Sequence, residues 1–295
     1  MSAIVRLMRP HQWVKNGFVF VGFVFGHGWE DAALMTDVLI LFAAFCLVSS
    51  AVYVMNDIAD RESDRAHPDK RHRPLAKGEI GVRAAIVFSL ALALAGLTLS
   101  AWVSLPAFLA AASYIALNLA YSAGLKRVAI LDVFMIAAGF MLRILAGTAG
   151  IGIEPSNWLL LCGLMLTLFL GFCKRRAELG AAMEAGERSG GTEFRQRAAL
   201  SGYSKPLLDR LVSISAAGAA IGYALYTVDP DTVLLHGTDR LILTLPFVLY
   251  GLFHYMQVVY SRGGGGDPAW ELLHDPHLIA ATVGWLGVTG WLLAG

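Results

Sequence analysis

The chain has 295 residues, of which 57% are apolar and 15% charged. An ordinary soluble domain is about 45–50% apolar and about 25% charged, so a disordered chain, a basic nucleic-acid-binding domain and a typical soluble enzyme are excluded. The 23 Lys and Arg nearly balance the 22 Asp and Glu, so the information lies in where the charges sit.

About 20 mostly apolar residues cross a bilayer as a helix. Hydropathy predicts nine such helices, at 16–29, 36–56, 83–103, 105–122, 129–149, 156–173, 207–228, 240–260 and 277–294. The first is short and is read as tilted or partly interfacial. Arg6, Arg9 and Lys15 precede its Phe/Val run, but no small-residue cleavage pattern follows and apolar helices continue along the chain. The start is therefore not read as a cleavable signal peptide. With the N-terminus in the cytoplasm, the inner segments are 1–15, 57–82, 123–128, 174–206 and 261–276. Counting residues at the helix edges with their nearest loop, all of the 23 Lys and Arg except Arg143 and Arg240 then fall on the inner side, which is the positive-inside pattern. The expectation is an all-α, polytopic membrane bundle of nine transmembrane helices, one domain over 1–295. It would sit in the cell inner (plasma) membrane with its N-terminus and functional face cytoplasmic. Cys46, Cys162 and Cys173 lie in apolar runs without metal-ligand spacing and read as small buried residues. The run Gly263 to Gly266 reads as a flexible turn before Pro268.

The informative stretch ends the second predicted helix. Asp57, Asp60 and Asp64 are spaced i, i+3, i+7, which puts three carboxylates on one helical face with the Asn56 amide beside them. Like charges so spaced repel, so the stripe wants a cation. Carboxylate oxygens with room for water and a substrate phosphate suit Mg²⁺. A bland alternative is a solvated helix end in which Arg61 and Arg65 pair with the acids. Against it, Lys70, Arg71, Arg73 and Lys77 follow at once, and bases that hold phosphate oxygens beside acids that hold a metal are suited to phosphate chemistry.

Asn-Asp-x-x-Asp-x-x-x-Asp at Asn56–Asp64 resembles the first aspartate-rich motif of the UbiA-type intramembrane prenyltransferases. Further stretches resemble that superfamily's decaprenyl-phosphate phosphoribosyltransferase branch. They are Arg9-Pro-His-Gln-Trp-Val-Lys-Asn16, His67-Pro-Asp-Lys-Arg-His-Arg-Pro74, Tyr121-Ser-Ala-Gly-Leu-Lys126, Leu131-Asp-Val with Gly139-Phe-Met-Leu-Arg143, Lys174-Arg-Arg-Ala-Glu178 and the late Gly-rich, Asp-Pro segment. The resemblance covers nearly the whole chain. It implies nine helices around a central cavity open to the cytoplasm. It also implies transfer of 5-phosphoribose from phosphoribosyl diphosphate to a polyprenyl (decaprenyl-like) phosphate, with Mg²⁺ on Asp57, Asp60 and Asp64. In actinobacteria that product feeds the arabinan of the cell wall.

One departure from ordinary prenyltransferases is informative. Their second aspartate-rich motif follows the sixth helix, where this chain reads Lys174-Arg175-Arg176-Ala-Glu178. An enzyme with additional substrate phosphates wants cations there, although a positive-inside flank needs no substrate. Within this frame Lys15, Asn16, Asn56, Lys70, Arg71, Arg73, Tyr121, Lys126, Arg143, Lys174 and Arg175 are the expected substrate contacts. Several carry a second reading. Lys15 can anchor the first helix among headgroups, Trp13 and Trp29 read as interfacial anchors, and Tyr121 and Lys126 as ordinary boundary residues. Arg143 lies eleven residues after Asp132, three turns deeper on nearly the same face. A guanidinium within the membrane faces the bundle interior or a wet cavity, either in a structural pair or steering a phosphate. Tyr114 and Asn118 read as polar lining or as helix–helix hydrogen bonding. His67 and His72 lie in the motif loop, and His254 reads as a bundle hydrogen-bonding residue.

The alternatives to phosphoribosyl transfer are an isoprenoid transferase acting on an aromatic or other acceptor, and a lipid or anion transporter. The first lacks its second acidic cluster, and the second lacks a visible internal repeat. The expected partners are the two substrates and membrane lipid. A homo-oligomer is compatible with an apolar surface, which serves lipid and subunit alike.

Overall fold

The computed structural model describes residues 2–26, 28–66, 70–188, 198–261, 265–266 and 268–294. His67 and half of the Gly263–Gly266 run, Gly263 and Gly264, lie outside the described residues. Eight helices among the described residues are long and apolar enough to cross a membrane: Ala32–Ala59, Val82–Val103, Leu105–Ala123, Leu131–Ile151, Asn157–Glu184, Lys205–Val228, Arg240–Ser261 and Pro276–Leu293. The all-helical bundle matches the expectation, and each of these spans overlaps one predicted from hydropathy. The ninth does not appear as one helix. The chain from Pro10 to Val19 is a 3-10 helix, followed by the six-residue helix Phe20–Phe25. A 3-10 run of this length is unusual. It starts at Pro10, after Arg9 in the left-handed region at φ 55°.

The chain divides into two compact units, 1–123 with 142–155, and 124–141 with 156–295. In the first, α1 (Ala3–Met8), α2 (Phe20–Phe25), α3 (Ala32–Ala59), α4 (Arg61–Ala66), α5 (Pro74–Lys77), α6 (Val82–Val103) and α7 (Leu105–Ala123) follow in order. Asp31 starts α3 by accepting from the backbone N–H of Ala33 at 2.7 Å. The pairing of α3 with α6 follows from side-chain size. The buried residues of α6 are Ala85, Ser89, Leu92, Gly96 and Ser100, three or four apart, and four of the five are small. Small residues let helix backbones approach in a membrane; a Cβ on Gly96 would lie 2.8 Å from the Ala44 carbonyl oxygen. The opposite face of α6 exposes Val87, Leu90, Leu94 and Trp102, as a lipid-facing surface requires. Val38, Leu41, Phe45 and Val48 of α3 pack with Ala107 and Ala111 of α7 and with Val19 and Phe23.

The second unit contains the start of α8 (Leu131–Ala146), α9 (Asn157–Arg188), α10 (Lys205–Val228), α11 (Pro230–His236), α12 (Leu245–Ser261), α13 (Pro268–His274) and α14 (Pro276–Ala294). Val133, Phe169, Phe172, Leu208, Val212, Leu252 and Tyr255 form its core. α9 corrects the sequence reading. The segment after 173 was expected to be an inner loop, but the helix runs through to Arg188. Charged residues with good helix propensity carry it beyond the apolar stretch, so Lys174, Arg175 and Arg176 stand on a helix.

The closest approach in the first unit is at Gly147, where a Cβ would lie 1.7 Å from the Val19 carbonyl oxygen. Gly147→Ala is expected to cost about 1–3 kcal/mol through overpacking and to lower the thermal midpoint in detergent. Gly290→Ala, where a Cβ meets nothing within 4 Å, should leave the midpoint nearly unchanged.

Candidate functional site

The last turn of α3 carries Asn56 and Asp57, and Asp60 is its C-cap. The chain turns there into α4, and Asp64 lies within that short helix, its N–H on the Asp60 carbonyl at 2.8 Å. Asp57 and Asp64 are 2% and 3% exposed. Carboxylates so buried need cations and hydrogen bonds, and two arginines supply them. Arg73 Nη1 stands 3.0 Å from Asp57 Oδ1 and 2.7 Å from Asp64 Oδ2. Arg9 pairs with Asp57 from the other side and lies over the Tyr53 ring, 5.3 Å from its centroid.

The placement of Arg73 is built by its neighbours. Arg61 Nε donates to the Leu75 carbonyl at 3.3 Å and Arg65 Nε to the Ala76 carbonyl at 3.1 Å. Both clip α5 onto α4, and Arg73 is the residue that enters α5. These two arginines therefore cap backbone carbonyls; Arg65 also pairs with Glu62. Asn56 accepts a 2.6 Å hydrogen bond from the Ser122 hydroxyl at the end of α7, next to the half-buried Tyr121. Lys70 is half-buried and Arg71 exposed. Asp60 is half-buried at the helix end. Among the described residues no three His, Cys, Asp or Glu side chains stand as a group ready to hold a metal; the two convergent acids are closed on arginine.

Deeper in the first unit, Arg143 is 4% exposed. Its Nε donates to Asn16 Oδ1 at 2.8 Å and its Nη2 to the Tyr114 hydroxyl at 2.9 Å. Asn16, 1% exposed, passes the chain on, with Nδ2 donating to Ser49 Oγ at 3.1 Å. Asn16 and Arg143, both expected substrate contacts, thus hold each other. Lys15 next to Asn16 is half-buried. Trp13 donates to Ser50 Oγ at 3.1 Å and so docks the N-terminal segment on α3. The Asn118 amide bonds back to the Tyr114 carbonyl within its own helix.

The second unit holds a separate cluster. Arg175 and Asp132 are 1% and 0% exposed. Arg175 Nε donates to Asp132 Oδ2 at 2.6 Å, and its Nη1 to Glu178 Oε2 at 2.6 Å. The Tyr203 hydroxyl donates to Asp132 Oδ1 at 2.7 Å and accepts from the Ile130 N–H at 2.6 Å. Burial pushes the Tyr203 phenol well above its usual value and the bond to Asp132 adds to this, so the hydroxyl stays a donor. Arg175 was expected to contact substrate; here its guanidinium is buried on Asp132 and Glu178. Lys174, half-buried on the same helix, and Lys126, half-buried in the 3-10 turn Leu125–Arg127, are the neighbouring cations. Arg176 pairs with Asp209 at 2.7 Å, and His254 donates to Asp275 at 3.0 Å. Arg9, Glu178 and Tyr203 were not singled out from sequence. Arg9 lies within a motif that suggested it; Tyr203 carries no local signal.

Comparison with known proteins adds a family to this geometry. The family described as UbiA prenyltransferase family matches residues 17–274. The decaprenyl-phosphate phosphoribosyltransferase of Mycolicibacterium smegmatis is 32% identical, the match covering 98% of this chain and 92% of the relative. That of Corynebacterium glutamicum is 33% identical over 97% of this chain and 85% of the relative. Among solved structures, a UbiA homolog from Archaeoglobus fulgidus bound to GPP and Mg²⁺ superposes with a TM-score of 0.71 at 19% identity, over the whole of both chains. At that identity it shows the shared fold. The family resemblance carried by the sequence motifs is borne out: the chain is a multi-pass membrane protein and belongs to the UbiA prenyltransferase family.

Proposed function

We propose that the protein transfers 5-phosphoribose from phosphoribosyl diphosphate to a polyprenyl phosphate, releasing diphosphate. The observation that carries this reading is the sign of the charge on two motif-bearing helices. Acids end α3, while 174–176 of α9 are Lys-Arg-Arg. A prenyl-diphosphate enzyme calls for a second acidic, metal-binding cluster. A donor with a 5-phosphate and an acceptor that is itself a phosphate call for cations. The relatives that match almost end to end are named for phosphoribosyl transfer to decaprenyl phosphate, which supports the same choice.

Mg²⁺ is the proposed cofactor, and the residues fit it. Asp57 and Asp64 bring carboxylate oxygens to 3.0 and 2.7 Å of a single cationic nitrogen. They are buried, hard oxygen donors, with Asp60 one turn from Asp57 as a further carboxylate. When bound, the ion stabilises the charge that builds on the departing diphosphate. The remaining work falls to the chain. Arg73 and Arg9 balance the acid pair and are within reach of a phosphate held beside it. Lys15, Lys70, Arg71 and Asn56 are assigned to the donor, with Tyr121 at the end of α7 and Arg143 behind Asn16. In the second unit, Lys126 and Lys174 are assigned to substrate phosphate, and Arg175 to holding Asp132.

In the reaction, an acceptor phosphate oxygen forms a bond to C1 of the ribose as the bond from C1 to the diphosphate oxygen breaks. The electron pair leaves with diphosphate, and attack from the opposite face inverts the anomeric centre. The acceptor oxygen is already ionised, so no general base is needed. The positive-inside distribution supports an N-terminus and acidic helix end on the cytoplasmic side of the plasma membrane, with the lipid acceptor arriving from the bilayer.

Purified protein supplied with labelled phosphoribosyl diphosphate, polyprenyl phosphate and Mg²⁺ should yield label extractable with lipid. Label transferred only from a prenyl diphosphate would identify an isoprenoid transferase, and absence of any covalent product would favour a transporter. Chelation should stop the transfer and Mg²⁺ restore it. Asp57→Asn and Asp64→Asn are each expected to lower turnover at least about 100-fold with helix content by circular dichroism unchanged. Wild-type turnover in either variant would remove that residue from the reaction.

A further inference from the structure

Tyr203 closes the 198–203 segment, which precedes α10, onto the turn that leads into α8. Three observations show that this contact is built for position. The phenol is bound on both sides, donating to Asp132 Oδ1 at 2.7 Å and accepting from the Ile130 N–H at 2.6 Å. Ile130 has φ 69°, in the left-handed region that a β-branched residue avoids; such a conformation persists where its surroundings over-determine it. Gly202 brings the two backbones together, since a Cβ there would meet the Ala129 Cβ at 2.7 Å.

Asp132 is the pivot. One oxygen takes Tyr203 and the other takes Arg175 Nε at 2.6 Å. A turn bearing Lys126 and a helix bearing Lys174 are thereby tied to the same buried carboxylate. Arg175 Nε and Nη1 are taken up by Asp132 and Glu178.

We propose that Tyr203 is a positioning residue for the donor. It holds the strained Ile130 link between the Lys126 turn and α8 against the Asp132–Arg175 pair, so that Lys126 meets a donor phosphate from a preset position. This rests on the proposed reaction and takes the donor as the substrate whose phosphate Lys126, assigned above to substrate phosphate, contacts. A side chain displaced by about 1 Å is enough to weaken such a contact strongly.

The test is binding of phosphoribosyl diphosphate to the purified full chain, without lipid acceptor, by titration calorimetry. Tyr203→Phe keeps the ring in the core and removes both hydrogen bonds. It should weaken donor binding roughly 10-fold, and Lys126→Gln should weaken it at least as much. The double variant should be no weaker than Lys126→Gln alone, because the phenol acts through the lysine. Gly202→Ala, which pushes the same segment off Ala129, should repeat the coupled loss if Tyr203→Phe folds poorly. Tyr255→Phe, which removes a 3.3 Å bond to the Gly265 carbonyl in the same core, should lower the melting temperature and leave donor affinity unchanged. Additive losses in the double variant, or unchanged donor affinity in Tyr203→Phe, would overturn the proposal while wild-type binding leaves the donor assignment standing. A wild-type chain that does not bind the donor would remove that assignment and this proposal with it.

Discussion

Two carboxylates buried at the end of a membrane helix set the terms for everything around them. Asp57 and Asp64 cannot stay ionised in that place without cations close by. The chain answers from two directions, with Arg9 before the first apolar segment and Arg73 after α4. Each brings a piece of structure with it. Arg9 draws α1 against α3, with Trp13 on Ser50 securing the same contact. Arg73 draws in α5, which Arg61 and Arg65 hold by its carbonyls. Removing either arginine would leave a buried carboxylate less compensated, so these acids also organise the helix end that presents them.

The second unit repeats the principle with a different outcome. Asp132 is fully buried and both its oxygens are occupied, by Arg175 and by Tyr203. Of the consecutive bases Lys174, Arg175 and Arg176, one is committed to Asp132 and Glu178 and one to Asp209. Two of three cations adjacent in sequence therefore hold the protein together. Arg143 obeys the same logic in the first unit. An intramembrane guanidinium is matched by the Asn16 amide and the Tyr114 hydroxyl and ring.

Much of this was legible in the sequence where the signal is local. Apolar runs located the eight long spans, and the i, i+3, i+7 spacing located the acids, although the chain turns at Asp60 and only Asp57 and Asp64 converge on Arg73. The first predicted span is a 3-10 segment followed by a short helix, a difference the sequence does not show because a run of apolar residues reports hydrophobicity and not helix type. α9 was cut short because charge marked the edge of the apolar core, while helix propensity continued past it. The pairings of Arg175 with Asp132, Arg9 with Asp57 and Tyr203 with Ile130 join residues 43, 48 and 73 positions apart. No spacing rule reaches so far, so the roles of Arg9, Arg175 and Tyr203 emerge only from the folded chain.

The central claim is that the Asp57–Asp64 pair accepts a divalent ion together with the donor's diphosphate. Anomalous diffraction from crystals grown with Mn²⁺ and phosphoribosyl diphosphate tests it most directly. The account predicts a single strong metal peak in contact with both carboxylates, with Arg73 shifted from the acids toward phosphate. A metal peak elsewhere, or a donor bound while Arg73 still bridges the two aspartates and no metal touches them, would contradict it.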